Sequence, residues 1–258
     1  MTNKFYDRLA GKIAVVTGAS GGIGRAVAVS FAKEGAKVVA TARSNTAGLK
    51  ETQSLAPRGS IEVKQANVTV AAEVESLIAF AEERFGRLDI LVNNAGVIRV
   101  GQIPDTSEAD WDEIMLTNLK GTFLGLKYGI PAMKRAGGGS IINVSSIAGV
   151  VGQATLAAYS ASKGGISMLT KATAMDHVRD KIRINALCPG LIETPMTQPY
   201  IEHAGSKDAL LEMMGSWMHP MGMGNVDQIA AGALFLASDE ASYVTGSLMI
   251  IDGGYTAQ

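Results

Sequence analysis

A glycine-rich turn between an apolar run and a helical pattern constrains the fold of this chain more than any other feature. Residues 12–16 form an apolar run typical of a short buried strand, and residues 25–34 have a helical pattern. Between them lie Gly18, Gly22 and Gly24, which permit a tight turn and a close approach of the backbone to a ligand. This order predicts the opening of a βαβ unit whose helix start binds the pyrophosphate of a dinucleotide.

Apolar, strand-like runs alternate with helical patterns along the chain. The strand-like runs cover residues 12–16, 37–41, 61–66, 89–93, 140–145, 183–187 and 248–251, and the helical patterns include residues 70–85, 108–136, 154–179 and 225–237. This alternation predicts an α/β fold, a Rossmann-type doubly wound parallel sheet of about seven strands with helices on both faces. With 258 residues and 47% hydrophobic content, the chain is expected to form one domain over residues 1–258.

Charge and composition exclude several other classes of protein. The formal net charge is −1 without a basic block, so neither a nucleic-acid partner nor an anionic membrane is expected. The sequence has no apolar run of membrane-spanning length, and the first ten residues lack a signal-peptide core. Cys188 is the single cysteine, which excludes an internal disulfide and favours a reducing compartment, so a cytoplasmic location is expected. The three histidines lack metal-ligand spacing, and no metal site is predicted.

Tyr159 and Lys163 carry the most informative chemical signal. They lie four residues apart in a predicted helix and therefore share one of its faces, and Ser146 lies thirteen residues upstream of Tyr159. A nearby cation favours a phenolate, so Lys163 is expected to lower the pKa of Tyr159 by roughly three units, from about 10 to about 7. A phenol with that pKa serves as a general acid and base near neutral pH. The spacing alone is also compatible with an exposed helical pair.

The end of the second predicted strand bears on the choice of dinucleotide. An NAD site normally places an acidic side chain there, which accepts hydrogen bonds from the ribose 2′-hydroxyl. This chain has Ala42 at that position, followed by Arg43 and Ser44. The guanidinium of Arg43 suits a 2′-phosphate, so NADP(H) is the preferred cofactor and NAD(H) is kept as an alternative. An arginine on a solvated loop would also explain the residue.

Further motifs follow the glycine-rich turn. The full series is Thr17-Gly18-x-x-x-Gly22-x-Gly24, Asn93-Asn94-Ala95-Gly96, Asn118 with Gly121, Ser146, Tyr159-x-x-x-Lys163, Pro189-Gly190 with Thr194, and Asp252-Gly253-Gly254. In this order and at these separations, the motifs resemble the short-chain dehydrogenase/reductase family over nearly the whole chain. Much of the chain is similar to 3-oxoacyl-carrier-protein reductases, and its ending is similar to that of bacterial R-selective alcohol dehydrogenases. The resemblance implies an NAD(P)H-dependent oxidoreductase that transfers hydride between nicotinamide and a ketone or secondary alcohol.

The resemblance also implies a catalytic tetrad of Asn118, Ser146, Tyr159 and Lys163. Ser146 would donate a hydrogen bond to the substrate oxygen, and Tyr159 would exchange a proton with it. Lys163 would lower the pKa of Tyr159 and bind the nicotinamide ribose, and Asn118 would hold a water that passes protons from Lys163 to solvent. Ser145 competes with Ser146, but the separation of thirteen residues from Tyr159 favours Ser146.

The cofactor contacts implied by the resemblance lie in several segments. They are Gly18, Ser20, Gly22, Ile23, Gly24, Arg43, Ser44, Asn67, Val68, Asn94, Ala95, Gly96, Tyr159, Lys163, Pro189, Gly190, Ile192 and Thr194. Residues 94–96 would pack along the adenosine ribose, and residues 189–194 against the nicotinamide. Two positions depart from the family pattern: Gly21 stands where many NADP-dependent members have a basic residue, and Asn67 replaces an aspartate beside the adenine. An asparagine amide can still bond adenine.

The substrate is less constrained. In this family the segment around residues 194–223 covers the pocket, and here it holds Met196, Tyr200, Met213, Met214, Trp217, Met218, Met221 and Met223. A mobile hydrophobic lid over a neutral ketone is one interpretation, and core or subunit contacts are another. A 3-oxoacyl-carrier-protein reductase is the alternative function, for which Lys134, Arg135 or Arg179 could dock an acidic carrier. A non-catalytic nucleotide sensor or scaffold is a further alternative.

A homotetramer is the expected assembly. The small residues Ala154, Ala157, Ala158, Ala161 and Gly165 would let two long helices approach closely, and twofold axes are common in symmetric assemblies. Among R-selective alcohol dehydrogenases a terminal carboxylate can bind magnesium between subunits, which draws attention to Gln258. One carboxylate makes no site, however, and magnesium is not predicted.

Overall fold

A parallel β-sheet forms the centre of the computed structural model, which describes residues 7–215 and 219–257. The strands are β1 (Ile13–Thr17), β2 (Lys37–Ala42), β3 (Ile61–Gln65), β4 (Ile90–Asn93), β5 (Gly139–Val144), β6 (Ile182–Pro189) and β7 (Leu248–Ile251). Within the described residues these seven strands form one sheet in the order β3-β2-β1-β4-β5-β6-β7, and every neighbouring pair is parallel. The predicted Rossmann-type sheet is confirmed.

Helices cover both faces of this sheet. They are α1 (Gly22–Lys33), α2 (Thr46–Ser54), α3 (Ala71–Phe85), α4 (Glu108–Ile114), α5 (Gly121–Ala136), α6 (Ala157–His177), α7 (Gln198–Ala204), α8 (Lys207–Met213) and α9 (Val226–Ala237). Phe31 of α1 and Leu234 of α9 belong to the core on one face, and Leu77 of α3 and Met133 of α5 to the core on the other. Of the helices in the described ranges, none is long and apolar enough to cross a membrane.

The central strand β1 shows why the sheet needs helices on both sides. Ala14 and Val16 pack into the core that contains α1 and α9, whereas Ile13 and Val15 pack into the core that contains α3 and α5. Successive side chains of a strand point to opposite faces, so a strand covered on both faces reads as an uninterrupted apolar run. All five residues of β1 are buried, as its sequence predicts.

The helical pattern predicted over residues 108–136 is confirmed as an unbroken helical run, but the pattern does not indicate the π-helical segment within it. α4 ends at Ile114, a π-helical segment covers Met115–Lys120, and α5 begins only at Gly121. Asn118 is fully buried within the π-helical segment. A π-helical turn changes the direction in which its side chains point, and apolar periodicity gives no signal for such a change.

The sequence patterns also do not predict α2, α7 or α8, and they start α6 too early. α2 follows Asn45, whose side-chain oxygen accepts a hydrogen bond from the backbone N of Gly48 at 2.9 Å and caps the helix. α6 begins at Ala157 and not at residue 154, because Thr155 has a φ of +63°, which a right-handed helix does not allow.

The carboxyl ends of four neighbouring strands bring the predicted motifs to one edge of the sheet. Gly18 follows β1, Asn94 follows β4, Ser145 follows β5 and Gly190 follows β6. Because all the strands are parallel, these positions face the same crevice, where open α/β sheets bind their ligands. The opposite edge of the sheet carries the strand starts.

Candidate active site

Thr17, the last residue of β1, ties the glycine-rich turn to the segment after β4. Its hydroxyl oxygen accepts hydrogen bonds from the backbone N of Asn94 at 2.9 Å and of Ala95 at 3.1 Å. The Asn94 side chain donates in return to the carbonyls of Thr17 at 2.8 Å and Gly18 at 3.2 Å. These bonds hold the turn and residues 94–96 side by side as two walls of one cleft.

The start of α1 fits a pyrophosphate. Gly21 precedes the helix, and among the described residues no side chain caps it, so the first helical amides are left for a ligand. Gly18 has a φ of +66°, and a Cβ there would lie 2.9 Å from the Cα of Ala95. A Cβ on Gly24 would overlap the carbonyl of Gly18. Side chains at these positions would therefore disrupt the tight turn and its packing against residues 94–96, which shape the start of the helix.

Arg43 is exposed just beyond the end of β2, where Ala42 offers no acceptor to a ribose hydroxyl. Arg25, the nearest arginine in α1, is held by the protein itself. Its guanidinium pairs with Glu51 at 2.7 Å and donates to the carbonyl of Ser20 at 2.7 Å. Arg43 is therefore better placed than Arg25 to meet a ligand phosphate.

Asn67 follows β3 and is partly engaged by its neighbours. Its side-chain oxygen accepts hydrogen bonds from the backbone N of Thr69 at 3.1 Å and from the Thr69 hydroxyl at 2.9 Å. The amide NH2 group is the part left to donate to a ring acceptor of adenine. Next to it, a Cβ on Gly121 would lie 3.0 Å from Cγ2 of Val68, so the glycine leaves room for the valine.

The Asn118 side chain is fully engaged by protein groups. Its oxygen accepts from the backbone N of Val97 at 2.8 Å, and its NH2 group donates to the Val97 carbonyl at 2.9 Å and to the Ser162 hydroxyl at 3.0 Å. A Cβ on Gly96 would lie 3.2 Å from this side-chain oxygen and 3.6 Å from Nζ of Lys163. Asn118, Gly96 and Lys163 are thus direct neighbours.

The structure brings Ser146, Tyr159 and Lys163 together. Tyr159 shares a side-chain hydrogen bond with Ser146, and Nζ of Lys163 lies 5.5 Å from the centroid of the Tyr159 ring. Nζ donates to the carbonyl of Val144 at 2.8 Å, and Lys163 is only 4% exposed. This burial excludes the exposed helical pair that the spacing alone allowed.

Ser145 and Ser146 have different surroundings. The Ser145 hydroxyl donates to the carbonyl of Lys163 at 2.9 Å and forms a 2.9 Å hydrogen bond with the Ser167 hydroxyl. The Ser146 oxygen accepts from the backbone N of Ala148 at 3.1 Å, which leaves its proton for Tyr159 or a ligand. Ser145 therefore braces α6, and Ser146 faces Tyr159.

The predicted lowering of the Tyr159 pKa is wrong for the protein on its own. Burial disfavours the phenolate and raises the pKa of Tyr159 to about 12, against a weaker opposite effect of the hydrogen bond with Ser146. Burial also disfavours the ammonium and lowers the pKa of Lys163 to about 8. Desolvation prevails because the ammonium bonds the Val144 carbonyl and not the phenol oxygen. Lys163, and not Tyr159, changes its charge near neutral pH.

The segment after β6 forms a further wall of the cleft. A Cβ on Gly190 would lie 2.7 Å from the Cα of Asp252, so the backbone packs closely against the chain that follows β7. The backbone N of Thr194 donates to the Thr197 hydroxyl at 2.9 Å, and a Cβ on Gly22 would lie 3.5 Å from Cβ of Thr194. Thr194 is therefore beside the glycine-rich turn.

The other predicted contacts at this edge are Pro189 and Ile192, which are buried, Ser20, Ile23, Val68 and Ala95, which are half-buried, and Ser44, which is exposed.

Four methionines of the 194–223 segment lie on the surface. They are Met196, Met213, Met214 and Met221, with exposed fractions of 38%, 68%, 41% and 78%. For these four, the interpretation as core residues is wrong. Trp217, Met218 and Gln258 lie outside the described residues. Across residues 7–215 and 219–257, no group of three or more potential metal ligands comes together.

The three basic residues considered for docking an acidic carrier protein lie at the edge of the sheet opposite the cleft. Lys134 and Arg135 stand at the end of α5, just before β5 begins, and Arg179 stands just before β6 begins. Lys134 pairs with Asp180 at 3.0 Å, and Arg135 pairs with Glu82 at 2.8 Å. These residues are at the amino ends of the strands, away from the cleft, so the prediction that they lie near it is wrong.

Thr17, Ser162 and Ser167 support the site, although sequence reasoning did not assign them roles. The Ser162 hydroxyl donates to the carbonyl of Tyr159 at 2.7 Å and accepts from Asn118, so it links two members of the predicted tetrad. The positions of two of these residues in the sequence could have indicated their roles. Thr17 directly precedes the glycine-rich turn, and Ser162 directly precedes Lys163.

Comparisons with known proteins find relatives along almost the entire chain. A family model described as enoyl-(acyl carrier protein) reductase matches residues 18–256. The chain is 40% identical to the NADP-dependent (R)-specific alcohol dehydrogenase of Lentilactobacillus kefiri, covering 98% of this chain and 99% of that protein. It is also 40% identical to the 3-oxoacyl-[acyl-carrier-protein] reductase of Thermotoga maritima, covering 96% and 98%. A crystal structure of levodione reductase matches with a TM-score of 0.91 at 34% identity, covering 96% and 98%. With such matches over nearly its full length, the chain belongs to the short-chain dehydrogenase/reductase family of oxidoreductases.

Proposed function

We propose that this oxidoreductase uses NADP(H) to reduce a ketone to a secondary alcohol and to catalyse the reverse oxidation. The observation that carries the proposal is the meeting of Ser146, Tyr159 and Lys163 at the edge where the glycine-rich turn opens. Nicotinamide cofactors are the ligands of this family, and the NADP-dependent alcohol dehydrogenase among the relatives supports the reaction.

The catalytic step needs a proton donor beside the substrate oxygen. The bound cofactor supplies the hydride that enters the carbonyl carbon. Ser146 donates a hydrogen bond to the carbonyl oxygen and stabilises the negative charge that grows there. Tyr159 gives its hydroxyl proton to that oxygen as the alcohol forms. Because burial raises the pKa of Tyr159 to about 12, the phenol holds its proton at neutral pH, which is the state that reduction requires.

Lys163 and Asn118 restore that proton in the proposed mechanism. The pKa of Lys163, lowered to about 8, allows both the ammonium and the amine near neutral pH. The backbone carbonyl of Asn118 accepts hydrogen bonds from the Thr122 hydroxyl at 2.8 Å and from the backbone N of Gly121, so Asn118 would hold a water only as a further partner of that oxygen. Such a water would connect Lys163 to solvent. The side chain of Asn118 serves to hold the π-helical segment against Val97.

Arg43→Ala is expected to weaken NADPH binding by about 10- to 100-fold, the loss typical of a charge-assisted hydrogen bond to phosphate. NADH lacks the 2′-phosphate, so its affinity should change by less than about twofold. Fluorescence titration of both cofactors measures the two dissociation constants. Arg58→Ala, which removes an exposed arginine ahead of β3 at the opposite sheet edge, is the matched control. Equal losses for NADPH and NADH in Arg43→Ala would refute the assignment of NADP(H).

A neutral ketone is the substrate class that we propose. The exposed methionines between residues 194 and 223 are flexible apolar side chains, and we propose that this segment closes over the substrate as a lid. The reductase of Thermotoga maritima among the relatives keeps 3-oxoacyl-carrier-protein reduction as the second candidate.

Initial rates of NADPH oxidation on a panel of ketones and 3-oxoacyl thioesters test the proposed function. We expect turnover of cyclic or aryl ketones with a higher kcat/KM than that of any carrier-bound thioester. A preference for the carrier-bound thioester would favour the second candidate. A complete lack of turnover with every carbonyl would end the enzymatic proposal and leave the nucleotide sensor.

We propose that the chain assembles into a homotetramer through the outer surface of α5, α6 and the π-helical segment. An apolar hollow of about 710 Å³ opens there, and its lining includes Met115, Leu116, Leu119, Phe123, Met168 and Leu169. Phe123 is 47% exposed and Met168 64%, and apolar surface gathered in this way is typical of subunit contacts. Ala158 faces the core of its own subunit and Ala154 precedes α6, so these two do not belong to the contact face.

Met168→Glu tests this assembly because it places a charge on the proposed contact. Sedimentation should show a smaller species for the variant than for the wild type. A wild-type protein that sediments as a monomer would contradict the proposal directly.

A further inference from the structure

A polar cavity, distinct from the apolar hollow beside α5 and α6, lies at the edge of the sheet opposite the cleft. It has a volume of about 220 Å³ and is lined by the starts of β1, β4, β5 and β6 together with the Gly137–Gly139 turn. The two ends of the eight-residue strand β6 are roughly 23 Å apart at about 3.3 Å per residue. This cavity is therefore separate from the proposed cofactor site and needs its own explanation.

The charges around the cavity leave an excess of cations. Four basic residues line it, namely Lys12, Arg87, Lys181 and Arg183, against the two carboxylates of Asp89 and Asp239. Asp89 is saturated, because both of its oxygens bond Arg87 and one also accepts from the backbone N of Ile13 at 2.9 Å. Asp239 is 91% exposed and lies 3.9 Å from Lys12, so it neutralises that ammonium weakly.

Arg183 is the residue that points to a ligand. Its Nη2 donates to the carbonyl of Ser238 at 3.0 Å. Its Nη1 is buried and has no hydrogen-bond partner within residues 7–215 and 219–257. Buried donors of a charged group are rarely left unpaired, so the unpaired Nη1 of Arg183 calls for an explanation. Arg183 lines the cavity, so a rotation of its side chain would bring the enclosed Nη1 to an acceptor bound there.

Lys181 adds a second cation in an unfavourable backbone conformation. Its φ is +59°, in the left-handed region that lysine adopts rarely and asparagine tolerates well. The carbonyl of Lys181 accepts from the backbone N of Gly139 at 3.1 Å, which fixes this conformation at the rim of the cavity. In the part of the chain that the structure describes, the Lys181 ammonium forms no ion pair with a carboxylate.

We propose that this cavity binds a phosphate group, held by the guanidinium of Arg183 and the ammonium groups of Lys181 and Lys12. The Arg183 fork donates to two phosphate oxygens more readily than to water, and the dianion matches the excess positive charge of the lining. The volume admits inorganic phosphate or a small phosphate monoester. The bound anion would join the starts of β1 and β6 and the turn before β5, so it would stabilise the folded protein.

Calorimetric titration of inorganic phosphate into the protein saturated with NADP+ tests the proposal, because the dinucleotide blocks phosphate binding at the glycine-rich turn. Sodium chloride at matched ionic strength is the blank. We expect one phosphate to bind per subunit, with an affinity that falls by about tenfold or more in Arg183→Gln and in Lys181→Asn. Glycerol 3-phosphate in a parallel titration distinguishes a monoester from the free ion by the tighter of the two affinities.

Lys181→Asn keeps the test decisive if Arg183→Gln does not fold. Asparagine suits the φ of +59°, so this variant should melt no lower than the wild type without phosphate and should lose most of the phosphate-induced rise in Tm. Lys127→Asn, which removes an exposed cation on α5, is the matched control and should bind phosphate like the wild type. A wild type that binds no phosphate, or a Lys181→Asn variant that binds it with full affinity, would overturn the proposal.

Discussion

Replacement of Tyr159 by phenylalanine is expected to lower kcat/KM for ketone reduction by about a thousandfold, within the range lost with a general acid. Phenylalanine keeps the ring and its packing but removes the hydroxyl that bonds Ser146. Because the phenol holds its proton at neutral pH, the substitution removes no charge there. Stability should therefore fall by only about 1 kcal/mol, the value of one hydrogen bond. Steady-state NADPH oxidation and thermal denaturation measure the two effects.

Tyr243→Phe is the matched control for this experiment, because Tyr243 is fully exposed at the surface. It should keep the activity of the wild type. Tyr159→Phe should still bind NADPH, which separates loss of the proton donor from loss of the cofactor site. A Tyr159→Phe enzyme that kept most of its activity would show that another group supplies the proton.

Replacement of Lys163 by methionine is expected to lower kcat/KM by about a hundredfold or more without destabilising the protein at pH 7. Lys163 carries its charge at 4% exposure, and burial lowers its pKa to about 8 from an ordinary value near 10.5. A shift of this size corresponds to about 3 kcal/mol of unfavourable free energy in the folded state below pH 8. Methionine removes that cost, although the carbonyl of Val144 loses its donor.

The pH dependence of the Lys163→Met variant gives a second readout. Between pH 8 and 10.5 the unfolded wild type binds more protons at Lys163 than the folded protein, so its free energy of unfolding rises with pH there. The variant should lack this rise. In the wild type, deprotonation of Lys163 should lower kcat/KM for reduction above about pH 8, and the variant should not show that decrease. Urea unfolding should be measured up to pH 10. Between pH 10 and 12 the raised pKa of Tyr159 makes the free energy of unfolding fall with pH, which opposes the contribution of Lys163.

Lys171→Met controls for the removal of a lysine from α6, because Lys171 lies two turns further along the helix and is exposed. It should leave the pH profiles of rate and stability unchanged. A wild-type profile without a transition near pH 8, or an unaltered profile in Lys163→Met, would show that Lys163 does not titrate as its burial indicates.

Much of the site follows from short stretches of sequence. The glycines at positions 18, 22 and 24 predict the turn because another residue would not fit there. At each position a Cβ would meet neighbouring backbone or the residue would have to adopt an unfavourable φ. The choice of Ser146 over Ser145 rested on spacing, and the hydrogen bond between Ser146 and Tyr159 supports it. Both inferences depend on geometry within one or two neighbouring elements.

Other features depend on segments that are distant along the chain. The π-helical turn around Asn118 is held by Val97 and Ser162, which lie 21 and 44 residues away, and apolar periodicity contains no trace of them. Lys134 and Arg135 were predicted near the cleft, but their side of the sheet depends on where α5 ends relative to β5.

The sequence by itself determined the parallel sheet, the edge at which the predicted motifs gather and the side chains that meet there, because periodicity, turn chemistry and residue spacing are local properties. Only the tertiary structure decided the protonation of Tyr159 and Lys163. The spacing of four residues predicted attraction between them, but the surrounding chain buries Lys163, half-buries Tyr159 and directs the ammonium to Val144. The free energy of desolvation depends on everything packed around a group, and no spacing along the chain contains that information.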